Sequence, residues 1–240
     1  FRDVNCHERG GEIKPGHAEE DENANTVDNA IALALEIKKR RLIQEELTSQ
    51  QESLHFHAIH SALTKLPNRV LFDDRLNQSI KQAQRDNTKI AVLFLDLDNF
   101  KGRNDSRGHK VGDELLVEVS NRLKNQIRQT DTLSRLGGDE FCIILNQIPN
   151  NDMVIEVTQN LLKIMNSPFE LFDQSFYITT SVGVAIYPDD GITADELLKN
   201  SDADMYHAKD DGRNTYQFYT QSMTEKAFEL IAMEASFRNA

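Results

Sequence analysis

Cysteine and positive charge are both scarce in this chain of 240 residues. Its two cysteines, Cys6 in a polar segment and Cys142 in an apolar one, argue against a disulfide framework and favour a reducing compartment, so we expect a cytoplasmic protein. Lysine and arginine number 27 against 39 aspartates and glutamates, which gives a formal net charge of -12 at pH 7. Because phosphate groups would be repelled, we expect no nucleic acid and no membrane surface as a general partner.

Long apolar runs are missing as well. The longest extends from Ile90 to Leu95, whereas a membrane-spanning helix needs about 20 residues. The first residue is Phe1 rather than methionine, and no basic and apolar leader pattern follows it. We therefore expect a piece of a longer protein, whose missing segments could still attach it to a membrane.

The first quarter of the chain divides into two segments. Residues 1 to 27 are rich in Gly, Glu, Asp and Asn, a composition that predicts a flexible tail or linker. Residues 28 to 62 contain neither Gly nor Pro and carry apolar side chains at helical spacing, which predicts a helix. Charged residues interrupt the apolar seam, so a dimerising coiled coil and a solvated connector helix are equally compatible with it.

Residues 63 to 220 alternate between helical and strand patterns and form the predicted compact domain. The predicted elements are a helix with Pro67 in its first turn, a buried strand from Lys89 to Asp98, a helix from about Lys110 to Gln126, a β-hairpin around Gly137, a helix from about Asp152 to Met165, a strand from Phe176 to Tyr187, a helix from about Ala194 to Lys209 and a strand from Thr215 to Tyr219. This order predicts an α/β (α+β) two-layer sandwich, with helices over a mainly antiparallel sheet. Residues 221 to 240 predict the start of a linker helix that leads to a missing domain.

The most informative stretch runs from Gly137 to Phe141 and reads Gly-Gly-Asp-Glu-Phe. It lies between two apolar runs, which predicts a hairpin with a Gly-Gly turn and both carboxylates at its tip. Glycines allow a ligand to approach the backbone closely, and two adjacent acids can hold a divalent cation.

Several spaced motifs extend this pattern along the chain. They are Asp96-Leu97-Asp98-Asn99-Phe100-Lys101, Asn104-Asp105, Gly108-His109, Gly112-Asp113, Gly137 to Phe141, Ser181 to Ala185, Tyr187-Pro188, Ala208-Lys209 and Gly212-Arg213-Asn214. In this order the chain, from about Leu63 to Tyr219, resembles the GGDEF family of diguanylate cyclases. The resemblance implies a ferredoxin-like, nucleotide-cyclase-like fold and an enzyme that condenses two GTP into cyclic di-GMP and two pyrophosphates. It also implies that two domains face each other, so catalysis needs a homodimer.

The resemblance assigns a metal site and a catalytic group. Asp96, Asp139 and the carbonyl of Leu97 would hold Mg²⁺ or Mn²⁺, since both cations prefer hard oxygen ligands. Asp139 or Glu140 would help to deprotonate the attacking hydroxyl, and the sequence leaves the choice open. Lys101 matches the position that stabilises phosphate charge.

The remaining matched positions concern nucleotides. Asn104 and Asp113 would recognise guanine, while His109, Phe100 and Gly138 would contact the nucleotide. Lys209 and Arg213, four apart at a helix end, would reach the β and γ phosphates. Arg128 and Asp131 match the inhibitory site that binds the product, cyclic di-GMP.

The chain departs from the family pattern at a few positions, none of them a presumed ligand. They are Arg103 and Arg107 at commonly apolar positions, Lys65 in place of Gly, Ser61 in place of Asp and Asp204 in place of Ala. Residues near the end resemble the helix that leads to an EAL phosphodiesterase domain. Two alternatives follow: a weakly active GTP- or cyclic di-GMP-binding module that regulates such a phosphodiesterase, and an interaction scaffold based on the helix of residues 28 to 54.

Overall fold

A computed structural model of the chain describes residues 16–102 and 108–219, with side chains described from residue 33 onward. Arg103, Asn104 and Arg107 lie outside the described residues, as does the predicted helix of residues 221 to 240. The chain divides into two compact units, Phe1–His55 and Phe56–Ala240.

Helix α1 (Gly16–Ile59) begins at Gly16 rather than near residue 28. Every described side chain from residue 33 to 58 is exposed, including leucines and isoleucines such as Leu35 at 63%. Ion pairs at i,i+4 spacing, Arg40 with Glu36 and Arg41 with Glu45, are of a kind that supports isolated helices by a few tenths of a kcal/mol. Because the apolar seam stays exposed in this single chain, the coiled-coil and connector interpretations both stay predictions.

The second unit is built on a five-stranded sheet. Its strands are β1 (Lys89–Leu97), β2 (Thr132–Gly137), β3 (Glu140–Ile148), β6 (Thr180–Tyr187) and β7 (Tyr216–Phe218), and they lie in the order β2-β3-β1-β6-β7. Strand β1 pairs antiparallel with β3 and β6, while β7 runs parallel to β6. Nearly all of β1 is buried, as its continuous apolar run predicts for a central strand.

In the described ranges, four helices cover this sheet: α2 (Arg69–Asp86), α3 (His109–Lys124), α4 (Asn151–Met165) and α5 (Ala194–Asp210). One core cluster joins α3 and α4 to Ala91, Leu93 and Leu95, and the other joins α2 and α5 to Val92 and Phe94. Successive side chains of a strand point to opposite faces, so the two helix pairs lie on opposite faces of the sheet. The predicted class is confirmed, but the sandwich has three layers rather than two.

Two local predictions were wrong. Asn68 caps α2 by accepting from the backbone N–H groups of Val70 and Leu71, at 3.0 and 3.3 Å, so Pro67 precedes the helix. The strand predicted from Phe176 begins only at Thr180, and an unpredicted hairpin, β4 (Phe169–Leu171) and β5 (Gln174–Phe176), precedes it. Its turn residues Phe172 and Asp173 both have positive φ without the Asn-Gly or Asp-Gly signal that would have predicted them.

Gly183 determines how α5 lies on the sheet. A Cβ atom there would fall 1.9 Å from the carbonyl oxygen of Ser201 and 2.2 Å from the backbone nitrogen of Met205. Only glycine permits this direct contact between the backbones of β6 and α5. The close approach brings the last turn of α5 within reach of the end of β1.

Candidate active site

The end of β1 and the β2–β3 hairpin meet at one edge of the sheet. Asp96 lies opposite Glu140 in the β1–β3 ladder, and the backbone N–H of Leu97 donates to the carbonyl oxygen of Asp139 at 3.3 Å. The structure therefore brings together the predicted metal ligands and Glu140, but no hydrogen bond or salt bridge links Lys101 to them among the described residues.

The hairpin forms as predicted, with its turn displaced by one residue. Gly137 still pairs with Glu140, so the turn consists of Gly138 and Asp139 rather than of the two glycines. Gly138 has φ +46°, in the left-handed region that glycine adopts readily. This turn leaves Asp139 partly exposed at the tip.

Negative charge is concentrated at this edge. Asp96 is only 9% exposed, and burial raises the pKa of its carboxyl; the charges of Asp139 and Glu140 add to this, whereas Lys209 opposes it. The ammonium of Lys209 lies 2.8 Å from Oδ1 of Asp96. The single positive charge of Lys209 does not neutralise the carboxylates of Asp96, Asp139 and Glu140, so this edge would attract a further cation.

Burial also raises the pKa of Glu140. Arg69, the first residue of α2, lowers this pKa, while Asp202 on α5 and Asp139 raise it. Glu140 is therefore a better proton acceptor than an ordinary glutamate.

The donor set fits a hard divalent cation. The carboxylates of Asp96 and Asp139 and the carbonyl of Leu97 are all oxygen donors, which suit Mg²⁺ or Mn²⁺. Among the described residues, no group of three or more His, Cys, Asp or Glu side chains could enclose a metal ion. Mg²⁺ needs only a few protein ligands when substrate phosphates and waters complete its coordination shell.

Arg135 fixes the tip of the hairpin. Its Nε and Nη2 atoms donate to the carbonyl oxygen of Gly138 at 3.0 and 2.7 Å, and its Nη1 lies 3.4 Å from Oγ of Ser61. Burial lowers the pKa of this guanidinium, and the charges of Asp113 and Asp139 act against that effect. Arg135 thus ties the hairpin tip to Ser61, and its charge is felt by Asp113, one of the predicted guanine contacts.

Neither Arg135 nor Arg69 could be singled out from the sequence. Arg135 stands two residues before the Gly-Gly pair, but an isolated arginine in a strand carries no recognisable signal. Arg69 belongs to the Leu66-Pro67-Asn68-Arg69 motif, whose proximity to Glu140 depends on the packing of α2.

The residues predicted to contact the nucleotide differ in their exposure to solvent. Asp113 and His109 are exposed in the first turns of α3, and Lys101 is exposed in the helical residues 100–102. Phe100, by contrast, is only 7% exposed and belongs to the core under α3. Its role as a nucleotide contact stays a prediction, as does that of Asn104 outside the described residues.

Arg213 does not lie on the helix that carries Lys209, contrary to the predicted i,i+4 pair. Helix α5 ends at Asp210, and Gly212, Arg213 and Asn214 follow with φ of +109°, +64° and +52°. The backbone N–H of Arg213 donates to the carbonyl oxygen of Ala208 at 3.1 Å. A left-handed turn, rather than a helix face, positions this exposed arginine beyond the helix end.

Arg128 and Asp131, the two residues of the predicted product site, both line one groove. Oδ2 of Asp131 accepts from the backbone N–H of Arg128, and Oδ1 accepts from that of Asn146, both at 3.0 Å, so this carboxylate closes a turn. The adjoining groove has a volume of about 400 Å³. It is lined by His60, Lys65, Leu66, Pro67, Arg75, Lys124, Ile127, Arg128, Gln129, Asp131 and Leu133. Four lysines and arginines against one aspartate make it a basic groove on an acidic chain.

Fold and site together define a nucleotide-cyclase-like domain with carboxylates gathered at one edge of its sheet. The family model "Diguanylate cyclase, GGDEF domain" matches residues 58–215, and the chain belongs to this family. It is 43% identical over 217 residues to the bifunctional diguanylate cyclase/cyclic di-GMP phosphodiesterase MucR of Pseudomonas aeruginosa, covering 88% of this chain and 32% of MucR.

Two further similarities bear on function. The cyclic di-GMP phosphodiesterase NbdA of P. aeruginosa is 36% identical over 195 residues, covering 81% of this chain and 25% of NbdA. The coiled coil and GGDEF domain of DgcB from Caulobacter crescentus, solved in complex with c-di-GMP, superimposes with a TM-score of 0.69 at 26% identity, covering 78% of this chain and 99% of that one. The chain thus spans about a third or less of the two curated relatives. In the part of the chain that the structure describes, no helix combines the length and hydropathy needed to span a membrane.

Proposed function

We propose that this chain is a diguanylate cyclase domain that condenses two GTP into cyclic di-GMP and two pyrophosphates as a homodimer, with Mg²⁺ or Mn²⁺. One observation carries the proposal: β1 and the hairpin bring Asp96, Asp139 and Glu140 to one edge, with Lys209 bonded to Asp96. Carboxylates with raised pKa values, gathered at one edge of the sheet beside a lysine, are typical of a catalytic site rather than of a structural surface.

The roles of the residues follow from their surroundings. Asp96, Asp139 and the Leu97 carbonyl would hold the cation, which supplies charge neutralisation at the triphosphate and polarises the attacking hydroxyl. Glu140 takes up the proton of that 3′-hydroxyl, since its raised pKa suits a proton acceptor. Lys101, Lys209 and Arg213 balance the phosphate charge, and Asp113, with Asn104, His109, Gly138 and Phe100, binds the rest of the nucleotide.

The homodimer follows from the stoichiometry of the reaction. Each domain offers one acidic edge, whereas ring closure needs two 3′-hydroxyls to attack two α-phosphates. Two domains that face each other with their exposed hairpin tips bring both nucleotides into position. The exposed apolar side chains of α1 are suited to joining two copies.

We also propose that the basic groove beside Arg128 binds the product and inhibits the enzyme. Cyclic di-GMP carries two phosphates and two guanines, and the groove offers four cationic side chains and apolar walls. Since Asp131 is fixed by backbone donors, it would support the groove, while Arg128 and its neighbours bind the anion. The c-di-GMP complex of the related DgcB domain supports a product-binding role for the family.

A second candidate function is a regulatory domain that binds GTP or cyclic di-GMP and controls an attached phosphodiesterase. It is favoured by one observation: NbdA, named only as a phosphodiesterase, contains a region 36% identical to this chain.

Incubation of the purified chain with GTP and Mg²⁺ or Mn²⁺, with the products separated by chromatography and identified by mass, distinguishes the two. The cyclase proposal requires cyclic di-GMP and pyrophosphate in a 1:2 ratio. Binding of GTP without product formation contradicts it and supports the regulatory domain.

A further inference from the structure

Asp98, the residue that follows β1 by one position, has no role in the site described so far, yet it is almost completely buried, at 2% exposed. Its Oδ1 accepts from the hydroxyl of Ser181 at 2.7 Å. Its Oδ2 accepts from the hydroxyl of Thr179 at 2.6 Å and from the backbone N–H of Asn214 at 3.1 Å. A buried carboxylate with three donors on two oxygens is a fixed point of the structure.

One of these donors belongs to the turn that carries Arg213. Arg213 and Asn214 both have left-handed φ, which an arginine adopts only when its surroundings hold it there. The bond from Arg213 N–H to the Ala208 carbonyl fixes one side of the turn, and the bond from Asn214 N–H to Asp98 fixes the other.

The other two donors tie Asp98 to the start of β6. The backbone N–H of Asp98 donates to the carbonyl oxygen of Thr179 at 2.9 Å, so residue 98 is held through both backbone and side chain. The hydroxyl of Thr180 donates to the carbonyl oxygen of Asp96 at 2.8 Å. The same short segment of β6 therefore holds both Asp96 and the acceptor for the Asn214 turn.

We propose that Asp98 is a positioning residue that fixes the Arg213 turn relative to Asp96. It thereby aligns the guanidinium of Arg213, which binds phosphate, with the metal-binding edge. The inference rests on the proposed function insofar as Arg213 binds the distal phosphates of GTP. Asp98 itself touches neither nucleotide nor metal, because its oxygens are occupied by Thr179, Ser181 and Asn214.

The decisive experiment compares affinities for a non-hydrolysable GTP analogue and for GMP. Asp98→Ala should weaken binding of the triphosphate about tenfold, as expected for loss of a charge-assisted contact, and leave GMP binding nearly unchanged. Arg213→Ala should do the same. The double variant should bind no more weakly than Arg213→Ala alone, because Asp98 acts through that arginine.

A second readout is independent of nucleotide. Hydrogen exchange of the Asn214 amide should accelerate in Asp98→Ala, whereas the Val182 amide, which donates to the Thr215 carbonyl at 3.0 Å, should keep its protection. Asp98→Asn retains an oxygen that can accept from Asn214, so it should give a smaller loss of triphosphate affinity. This variant replaces Asp98→Ala in both measurements if the alanine variant does not fold.

Additive losses in the double variant, or equal losses for GMP and the triphosphate, would overturn the positioning role. So would an Asn214 amide whose exchange is unchanged in Asp98→Ala. None of these results bears on the cyclase proposal, which is tested by the formation of cyclic di-GMP from GTP by the unmodified chain.

Discussion

The edge at Asp96 and the groove at Arg128 are opposite in charge, although both are proposed to bind guanine nucleotides. At the edge, burial raises the pKa of both Asp96 and Glu140, the charge of Asp139 adds to both shifts, and Lys209 opposes them. In the groove, four cationic side chains surround one aspartate that is already bonded to two backbone N–H groups. The edge therefore needs a cation between itself and a nucleotide, whereas the groove can bind a phosphate directly.

The largest effect is expected from Asp139→Ala. Loss of a metal-binding carboxylate should lower the rate of cyclic di-GMP formation by about 10²- to 10³-fold, as for other single catalytic electrostatic contacts. Asp139 is partly exposed in the turn, so the melting temperature should stay nearly unchanged. Glu156→Ala, an exposed acid on α4, is the matched control and should retain full activity. Near-normal turnover in Asp139→Ala would refute the metal assignment.

Arg128→Ala tests the groove. Removing a side chain that binds a phosphate should raise the cyclic di-GMP concentration needed for half-inhibition about tenfold, while the uninhibited rate stays the same. Lys163→Ala, an exposed cation on α4, controls for the change in net charge. An inhibition curve that does not move, measured by initial rates over a range of added product, contradicts the product site.

Asp131→Ala distinguishes a supporting role from a binding role within the same groove. Because Asp131 accepts from the backbone N–H groups of Arg128 and Asn146, its loss should cost about 1–2 kcal/mol of folding stability. Thermal unfolding should show this loss in Asp131→Ala but not in Arg128→Ala. Equal stabilities for the two variants would mean that the turn does not depend on Asp131.

Asp204 offers a buried carboxyl outside both regions. Burial raises its pKa to about 6, with Asp190 adding to the shift and His207 opposing it. Within the described part of the chain, its Oδ2 has no hydrogen-bond partner. Among the described residues no salt bridge reaches Asp204, whereas Asp96 has one with Lys209 that offsets the cost of its burial.

The folded state therefore holds the Asp204 proton up to a higher pH than the unfolded state, whose pKa is near 3.8. Stability falls as pH rises through the window from about 4 to 6, and the full cost is present above it. Asp204→Ala should raise stability by about 1 kcal/mol at pH 7.5 and by less at pH 4.5, as measured by thermal unfolding. A gain independent of pH would contradict this assignment.

The sequence predicted the fold class, the central strand and the hairpin, because each depends on a local pattern. The run from Ile90 to Leu95 is apolar at every position, which is typical of a strand buried on both faces. The third layer was missed because the pattern of a helix shows that one face is buried but not which side of the sheet it covers. The short hairpin after α4 was missed because its turn uses Phe172 and Asp173 at positive φ.

The site was predictable only as far as the motifs extend. The motifs place Asp96, Leu97, Asp139 and Glu140 together, as the structure does. The roles of Arg135 and Asp98 depend on bonds to residues far along the chain, such as Ser61 and Asn214, and no local pattern encodes them. The left-handed turn at Arg213 likewise follows from tertiary contacts rather than from helix periodicity.

The central claim is that two copies of the acidic edge make cyclic di-GMP together. The most direct test measures the initial rate of cyclic di-GMP formation from GTP and Mg²⁺ over a wide range of protein concentration. We expect the rate to rise with the square of protein concentration at the dilute end and to become proportional to it once dimers predominate. Absence of cyclic di-GMP at every concentration, or a rate strictly proportional to protein throughout while the chain is shown to be monomeric, would contradict the account.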